Sequence, residues 1–462
     1  MTQAADAASE RISGQADQSI TLLPAPAEWR LREGAGSLRA QKFREQLGLP
    51  DGPAVMSGHQ AGFWHCGILA KWFAAQAVAQ RDGACAAWLV VDTDDNEPTV
   101  TPYPALRLGD GRLESRPWQA APGAHVRAGT PAGSRAPIDP APAPESGRSV
   151  EVPSLVQRGL QRMAGALRAQ MGAASLAAQY AHAAADVIGE ATGAEAPALV
   201  FASARAGTDL FSDLVGRMRD DPGACGRAYN EAVRAHPEAQ LRELEISERR
   251  GRYELPLWRI EREAPRQPVY ADELGAGEGT LAARALLLTG LMRMAGCDLF
   301  IHGAGGGVYD RVTERWLEAW LGESLAPAVV ASATWYLPLR ETPAPAPAEL
   351  EQALWARHAA RHDPAMLGER EAGGRKRALA AEIAALPPKS PARAELYRQM
   401  HELLDAVRVR HGGEIQAMDA RAADLRAQLR DRDVLLDRTW SFGLFPDERL
   451  RALRRAIDEA IT

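Results

Sequence analysis

The chain has 462 residues, 46% of them hydrophobic and 25% charged, with a formal net charge of −6. That length allows two or three separately packed cores, and acids interspersed among the bases exclude a nucleic-acid binder that works by bulk positive charge. Four scattered cysteines without a CxxC pair exclude a zinc finger and a disulfide scaffold, and no run of about 18 apolar residues is present to form a membrane-spanning helix.

From the N-terminus, residues 1–50 read as a polar leader and an entry segment, with "SLRAQKFREQLGL" as a first helix. The leader carries acids and lacks an apolar centre, so it is not read as a signal peptide, and a cytoplasmic protein is expected. A strand (53–57), a Gly/His turn, a helix (67–81) and an apolar strand (86–92) then form a strand–helix–strand unit of a parallel sheet. Residues 102–153, rich in Pro, Gly and Ala, read as a long irregular loop. Helical patterns follow at 153–190, 207–219 and 224–236, and 253–271 reads as two strands around a turn.

A second α/β unit is expected from a helix over 279–296, a strand "DLFIHG" (298–303), a glycine turn, a helix over 308–322 and a strand over 328–339. Two strand–glycine turn–helix elements about 240 residues apart point to a Rossmann-like sheet interrupted by an insertion. Beyond 345 the heptad steps Leu396, Met400, Leu403, Val407 and Ile415, Met418, Ala422, Leu425, Leu429 predict a helical hairpin with a coiled-coil face, broken at "HGG" (411–413). The expected organisation is thus 1–105 and 271–344 as two halves of an α/β core, 106–270 as a mostly helical insertion, 345–436 as an arm, and 437–462 as a closing segment on the core.

Chemistry concentrates at the two turns. "SGHQAGFWHCG" offers Gly58, His59, Gln60, Gly62, His65 and Gly67 where a helix begins, and Lys71 follows on that helix. Helix-opening amides lack partners and favour anions, glycine lets a phosphate approach the backbone, and imidazole, amide and ammonium groups can donate to phosphate oxygens. The alternative is a plain glycine turn whose histidines cap the helix and whose lysine faces solvent. Cys66 there reads as a buried, inert thiol. "DLFIHGAGGGVYD" repeats the pattern: His302 ends a strand, Gly303, Gly305, Gly306 and Gly307 can wrap a ribose or adenine, and Tyr309 and Asp310 open the helix. Asp310 either hydrogen-bonds a sugar hydroxyl or only complements the helix dipole.

"VVDTDDNEP" ends the second strand with acids, of which Asp92 and Asp94 are the candidates to hold a divalent cation such as Mg beside substrate phosphates, or to act as general base. His59, His65, Asp92, Asp94 and His302 together also make a possible mixed metal-ligand set, although their spacing does not require one.

His65-Cys66-Gly67 matches three positions of the H-x-G-H signature of nucleotidyl-transferring enzymes, with Ile68 in the fourth. "SGHQAGF" is similar to the G-[QH]-Q-A-G turn of the cysteine-adding enzymes of bacillithiol formation. "DLFIHGAGGGVYDRVT" and "DRTWSFGLFPDERLRALR" resemble their later glycine loop and their C-terminal end. His59 stands where that family usually has glutamine, and "DTDDNEP" departs from its second-strand ending.

The resemblance implies a nucleotidyltransferase (HUP-type) α/β core with a C-terminal coiled-coil arm and a dimer formed through that arm. It also implies ATP or ADP held by the two turns, and ATP-dependent attachment of an amino-acid carboxylate to the amine of a sugar-derived small molecule. On this reading His59, His65, Asp92 and Asp94 carry the chemistry and the remaining turn residues bind nucleotide. Two other readings stay open: a nucleotide or nucleotide-sugar binder without ligase chemistry, and a metal-dependent hydrolase using the His/Asp set.

Overall fold

A computed structural model describes residues 18–32, 37–123, 126–275, 277–340 and 345–462. The expected leader, residues 1–17, lies outside them. The architecture is mixed α/β, with a parallel-rich sheet and many helices. The chain divides into two units: Met1–Ala105, Ser115–Leu339 and Asp437–Thr462 form the first, Leu106–Glu114 and Arg340–Leu436 the second.

The first unit is organised by a six-stranded sheet. Its strands are β1 (Ser19–Leu23), β2 (Ala54–Gln60), β3 (Cys85–Val91), β4 (Ala198–Phe201), β5 (Leu299–His302) and β6 (Ala328–Thr334), in the order β1-β6-β5-β2-β3-β4. All neighbours are parallel except β1, which runs antiparallel along β6. From β2 the chain moves outward to β3 and β4, then returns to place β5 on the other side of β2. The strand order therefore reverses between β2 and β5, the position at which open α/β sheets bind ligands outside the carboxyl ends of their strands.

A buried ion pair sets the register of these two chain-distant strands. The Asp298 carboxylate accepts from Arg44 Nη2 at 2.8 Å and from the Ala54 amide at 2.9 Å. Farther along, Ser57 Oγ donates to Ile301 O at 2.6 Å. Ile301 pairs with Ser57, so His302 comes level with Gly58 at the opposite, carboxyl end.

Two helices open at that end: α1 (Cys66–Asp82) and α2 (Gly307–Leu321). Helix α1 is buried on almost every side, between β6 and the C-terminal helix Asp447–Ile461. Trp64, Trp72, Trp88 and Phe442 pack behind its first turn, with the Trp64 and Trp88 rings 4.8 Å apart. Trp64 Nε1 donates to Gln60 O at 2.7 Å, and the Phe442 amide donates to Trp64 O at 2.6 Å. The aromatic pair in "GFWHCG" thus anchors the turn from below while its polar residues stay on the open side.

Several expectations are corrected. Within 102–153, expected as a loop, strands form at Val100–Arg107, Arg112–Gln119 and Val150–Glu151. Thr101, Tyr103 and Ala105 alternate inward, a strand pattern that the intervening prolines hide, and prolines are tolerated where the neighbouring strand is only two residues long. The helix expected over 279–296 begins only at Ala285. Thr280–Ala283 is a strand instead, captured by pairing with Arg252–Ile260, so tertiary pairing overrides local helix preference. Strands β1 and β4 carry no clear signal of their own.

In the second unit, α3 (Pro347–His362) packs on α6 (Gly412–Arg430), and α4 (Arg370–Ala385) on α5 (Pro391–Arg410). The reversal therefore lies at "LPPKSP" (386–391) and not at "HGG". Proline stops a helix outright, whereas at His411 one helix gives way to the next without a connecting loop. Ala360, Leu367, Ala372, Val407 and Ile415 form the core of this unit. Arg361 and Asp419 are paired at 2.5 Å, and Glu369 is shared by Arg410 at 3.1 Å and His411 at 3.2 Å.

Candidate functional site

The two turns meet at a cleft of about 510 Å³ beyond the carboxyl ends of β2 and β5. Of the residues singled out in the sequence, Gly58, His59, Gln60, His65, Lys71 and Asp94 line it from the first unit of strand and helix. His302, Gly303, Gly305, Gly306 and Tyr309 line it from the second. Gly62, Asp92, Gly307 and Asp310 do not. Two glycines have a steric reason: a Cβ on Gly58 would strike the Leu89 backbone, and one on Gly306 would strike the His302 ring.

The first turn holds the more open chemistry. Lys71 is 5% exposed, and its Nζ donates to Gly58 O at 2.5 Å while lying 5.4 Å from the Trp88 ring centroid. Among the described residues it has no carboxylate partner, and burial pushes its amine down to about 7. His59 Nδ1 is buried with no hydrogen-bond partner among the described residues. Burial first, and then the nearby Lys71, push this imidazole down to about 3, so it is neutral in ordinary buffers. His65 follows the capping alternative: its Nδ1 accepts from the Gly67 amide at 3.1 Å. Burial, Arg438 and Lys71 lower its pKa as well. The Cys66 thiol is fully buried and pushed up, in keeping with an inert role.

The second turn is largely occupied with its own support. His302 Nε2 lies 2.9 Å from Asp310 Oδ1, but too far off line for a hydrogen bond, and its ring packs on Phe300 at 4.6 Å. Asp310 is buried and accepts from Arg293 Nη1 at 2.8 Å. Arg293 in turn donates to Ala326 O at 2.8 Å and pairs with Glu314. The expectation that Asp310 offers itself to a sugar hydroxyl is therefore corrected: its carboxylate is spent inside the fold.

The two acids of "DTDDNEP" part company. Asp94 accepts from Gln60 Nε2 at 2.8 Å and pairs with Arg266 at 2.5 Å. Burial works to raise its pKa, but these two partners outweigh burial and hold the carboxyl below its ordinary range. Asp92 instead lines a separate cavity of about 480 Å³. It accepts from the Ser203 amide at 2.8 Å and from Ser203 Oγ at 2.5 Å, and burial raises its pKa despite those bonds. Asp92 is thus corrected from a cleft residue to a neighbour of β4.

The mixed metal-ligand set does not gather either. Its five members are divided between two cavities, and among the described residues no group of three or more His, Cys, Asp or Glu could hold a metal ion.

Sequence reasoning missed Arg438, an exposed guanidinium that lines the cleft and makes no hydrogen bond or ion pair among the described residues. The only signal was its place at the head of "DRTWSFGLF", the segment that β-bridges His65 to Ser441. Ser332 and Thr289 were missed for the same reason, since each comes from an element with no motif. Among the described residues no helix is long and apolar enough to cross a membrane. No protein-family model and no curated protein matches the chain.

Proposed function

We propose that the chain is an ATP-dependent, ligase-like enzyme whose β2/β5 cleft takes the polyphosphate of an adenine nucleotide. The observation that carries this reading is a buried lysine with no acid to balance it among the described residues, facing a cavity at the point where the strand order reverses. A desolvated ammonium needs a counter-anion, and the helix opening at residues 303–307 adds amides that favour one. Lys71, Arg438 and His59 are the side chains that would hold the phosphates.

The strand order, with its reversal beside two glycine turns, supports a Rossmann-like core of the nucleotidyltransferase type. The paired helices of the second unit support a coiled-coil arm that joins two copies into a dimer. Trp355 on α3, 64% exposed, and Val409 on α5, 82% exposed, are among the apolar residues on offer there. The assignment of a ligase, joining an amino-acid carboxylate to an amine of a sugar-derived acceptor, rests on the resemblance of "SGHQAGF", "DLFIHGAGGGVYDRVT" and "DRTWSFGLFPDERLRALR" to the cysteine-adding enzymes.

The test is a melting-temperature series with ATP, ADP and AMP, each with and without Mg. A shift with ATP that is lost in Lys71→Met is expected; no shift with any nucleotide removes the reading. Amino-acid-dependent consumption of ATP then separates a ligase from a binding protein. The second reading, binding without turnover, is favoured by Asp94. It is the one acid lining the cleft among the described residues, and Gln60 and Arg266 already hold it.

A further inference from the structure

The chain has 54 basic residues, and only four of them are lysines: Lys42, Lys71, Lys376 and Lys389. Arginine serves almost everywhere that a positive charge is wanted, including the buried pairs at Arg44 and Arg293. Lysine differs from arginine in one chemical respect that burial exploits, because its amine can lose its proton and become a nucleophile, which a guanidinium cannot.

Lys42 and Lys389 are exposed and Lys376 is half-buried. Lys71 alone is buried, and it sits in the cleft wall. Its single hydrogen bond runs to a backbone carbonyl, which satisfies one N–H and leaves the nitrogen lone pair unused. Among the side chains around it are the imidazoles of His59 and His65, both with lowered pKa, and the Trp88 ring 5.4 Å away. None of these can donate a proton readily, and none supplies the carboxylate that would keep the amine charged.

We propose that Lys71 is a nucleophilic amine, and that the cleft binds an anionic oxo compound, an aldehyde or ketone bearing a phosphate or carboxylate, as an imine on Lys71 Nζ. The nitrogen attacks the carbonyl carbon and its proton passes to the carbonyl oxygen, giving a carbinolamine. Loss of that oxygen as water, with the second amine proton, forms the C=N bond. No redox partner is required. The anionic group of the ligand is met by Arg438 and by the amides that open α2. The proposal rests on the cleft and its lysine, and not on the identity of a nucleotide there.

Pyridoxal 5′-phosphate, an aldehyde that carries a phosphate, is the probe. The full chain is treated at pH 7.5, reduced with borohydride and mapped by peptide mass. The expected result is one reduced adduct on Lys71, formed at least about tenfold faster than on the exposed Lys389. Lys71→Arg abolishes the adduct and leaves labelling of the other three lysines unchanged. Label on Lys42, Lys376 and Lys389 with none on Lys71 overturns the proposal, and this is read from the unmodified chain, so it does not depend on any variant folding. Adding ATP separates the two readings. Label that persists in saturating ATP sustains the imine and removes the nucleotide from this cleft. An ATP-induced melting shift without label on Lys71 overturns the imine alone.

Discussion

The two glycine turns look alike in sequence and differ in how fully their polar groups are satisfied. After β5, Asp310 is held by Arg293, and Arg293 also grips Ala326 and Glu314, so only His302 Nε2, off line from Asp310, lacks a hydrogen bond among the described residues. After β2, among the described residues the His59 Nδ1 has no hydrogen-bond partner and the Lys71 amine has no acid. Burying polar groups is tolerable when they are paired and expensive when they are not. The second turn is therefore built as a support, and the first keeps free the groups with which a ligand can interact.

The largest effect that would break this contrast is expected at Arg293. Arg293→Ala strips the donors from a buried carboxylate, so urea denaturation should show a loss of about 3–5 kcal/mol. Unchanged stability would mean that the second turn is not held as described.

Lys71→Met should act in the opposite sense. ATP affinity falls by tenfold or more, about 1.4 kcal/mol, while the ligand-free protein becomes more stable. The sign follows from proton linkage. The folded amine titrates near 7 and the unfolded one near 10.5, so the unfolded chain binds more protons between those values and native stability rises with pH across that window. The methionine variant loses this slope. Its advantage is greatest below pH 7 and fades toward pH 10.5, and unfolding measured over a pH series would show it.

The two histidines of the first turn should separate more modestly. His65→Ala removes a helix cap and should cost about 1 kcal/mol of stability with little change in ATP affinity. His59→Ala should cost less stability than that, since its Nδ1 has no hydrogen-bond partner among the described residues, and should weaken ATP binding several-fold. The His59 imidazole stays neutral, so that binding should show no step near pH 6.5 on its account. A stability loss at His59 equal to that at His65 would erase the distinction between them.

Much of the α/β core is legible in the chain because its elements carry local signals. The apolar run "CAAWLVV", the two glycine turns and the helix after each are read within one or two residues of their observed bounds. Two of the misses share a cause: Thr280–Ala283 and Ala198–Phe201 are four-residue strands that exist only because a neighbour pairs with them. At the site the motif residues were found, but Arg438 was not, because nothing near it in sequence says which cleft it faces.

Composition and periodicity by themselves determined that this chain is an α/β protein with a long helical segment and two polar glycine turns, since such signals act over a few residues. What only the tertiary structure decided is which polar groups are already spoken for. Asp92 and Asp94 are two residues apart, yet one is bound to Ser203 and the other to Gln60 and Arg266. Whether a buried group is partnered depends on atoms brought from distant parts of the chain, and that is also why Lys71, one residue among many on a helix, acquires its chemistry only in the folded protein.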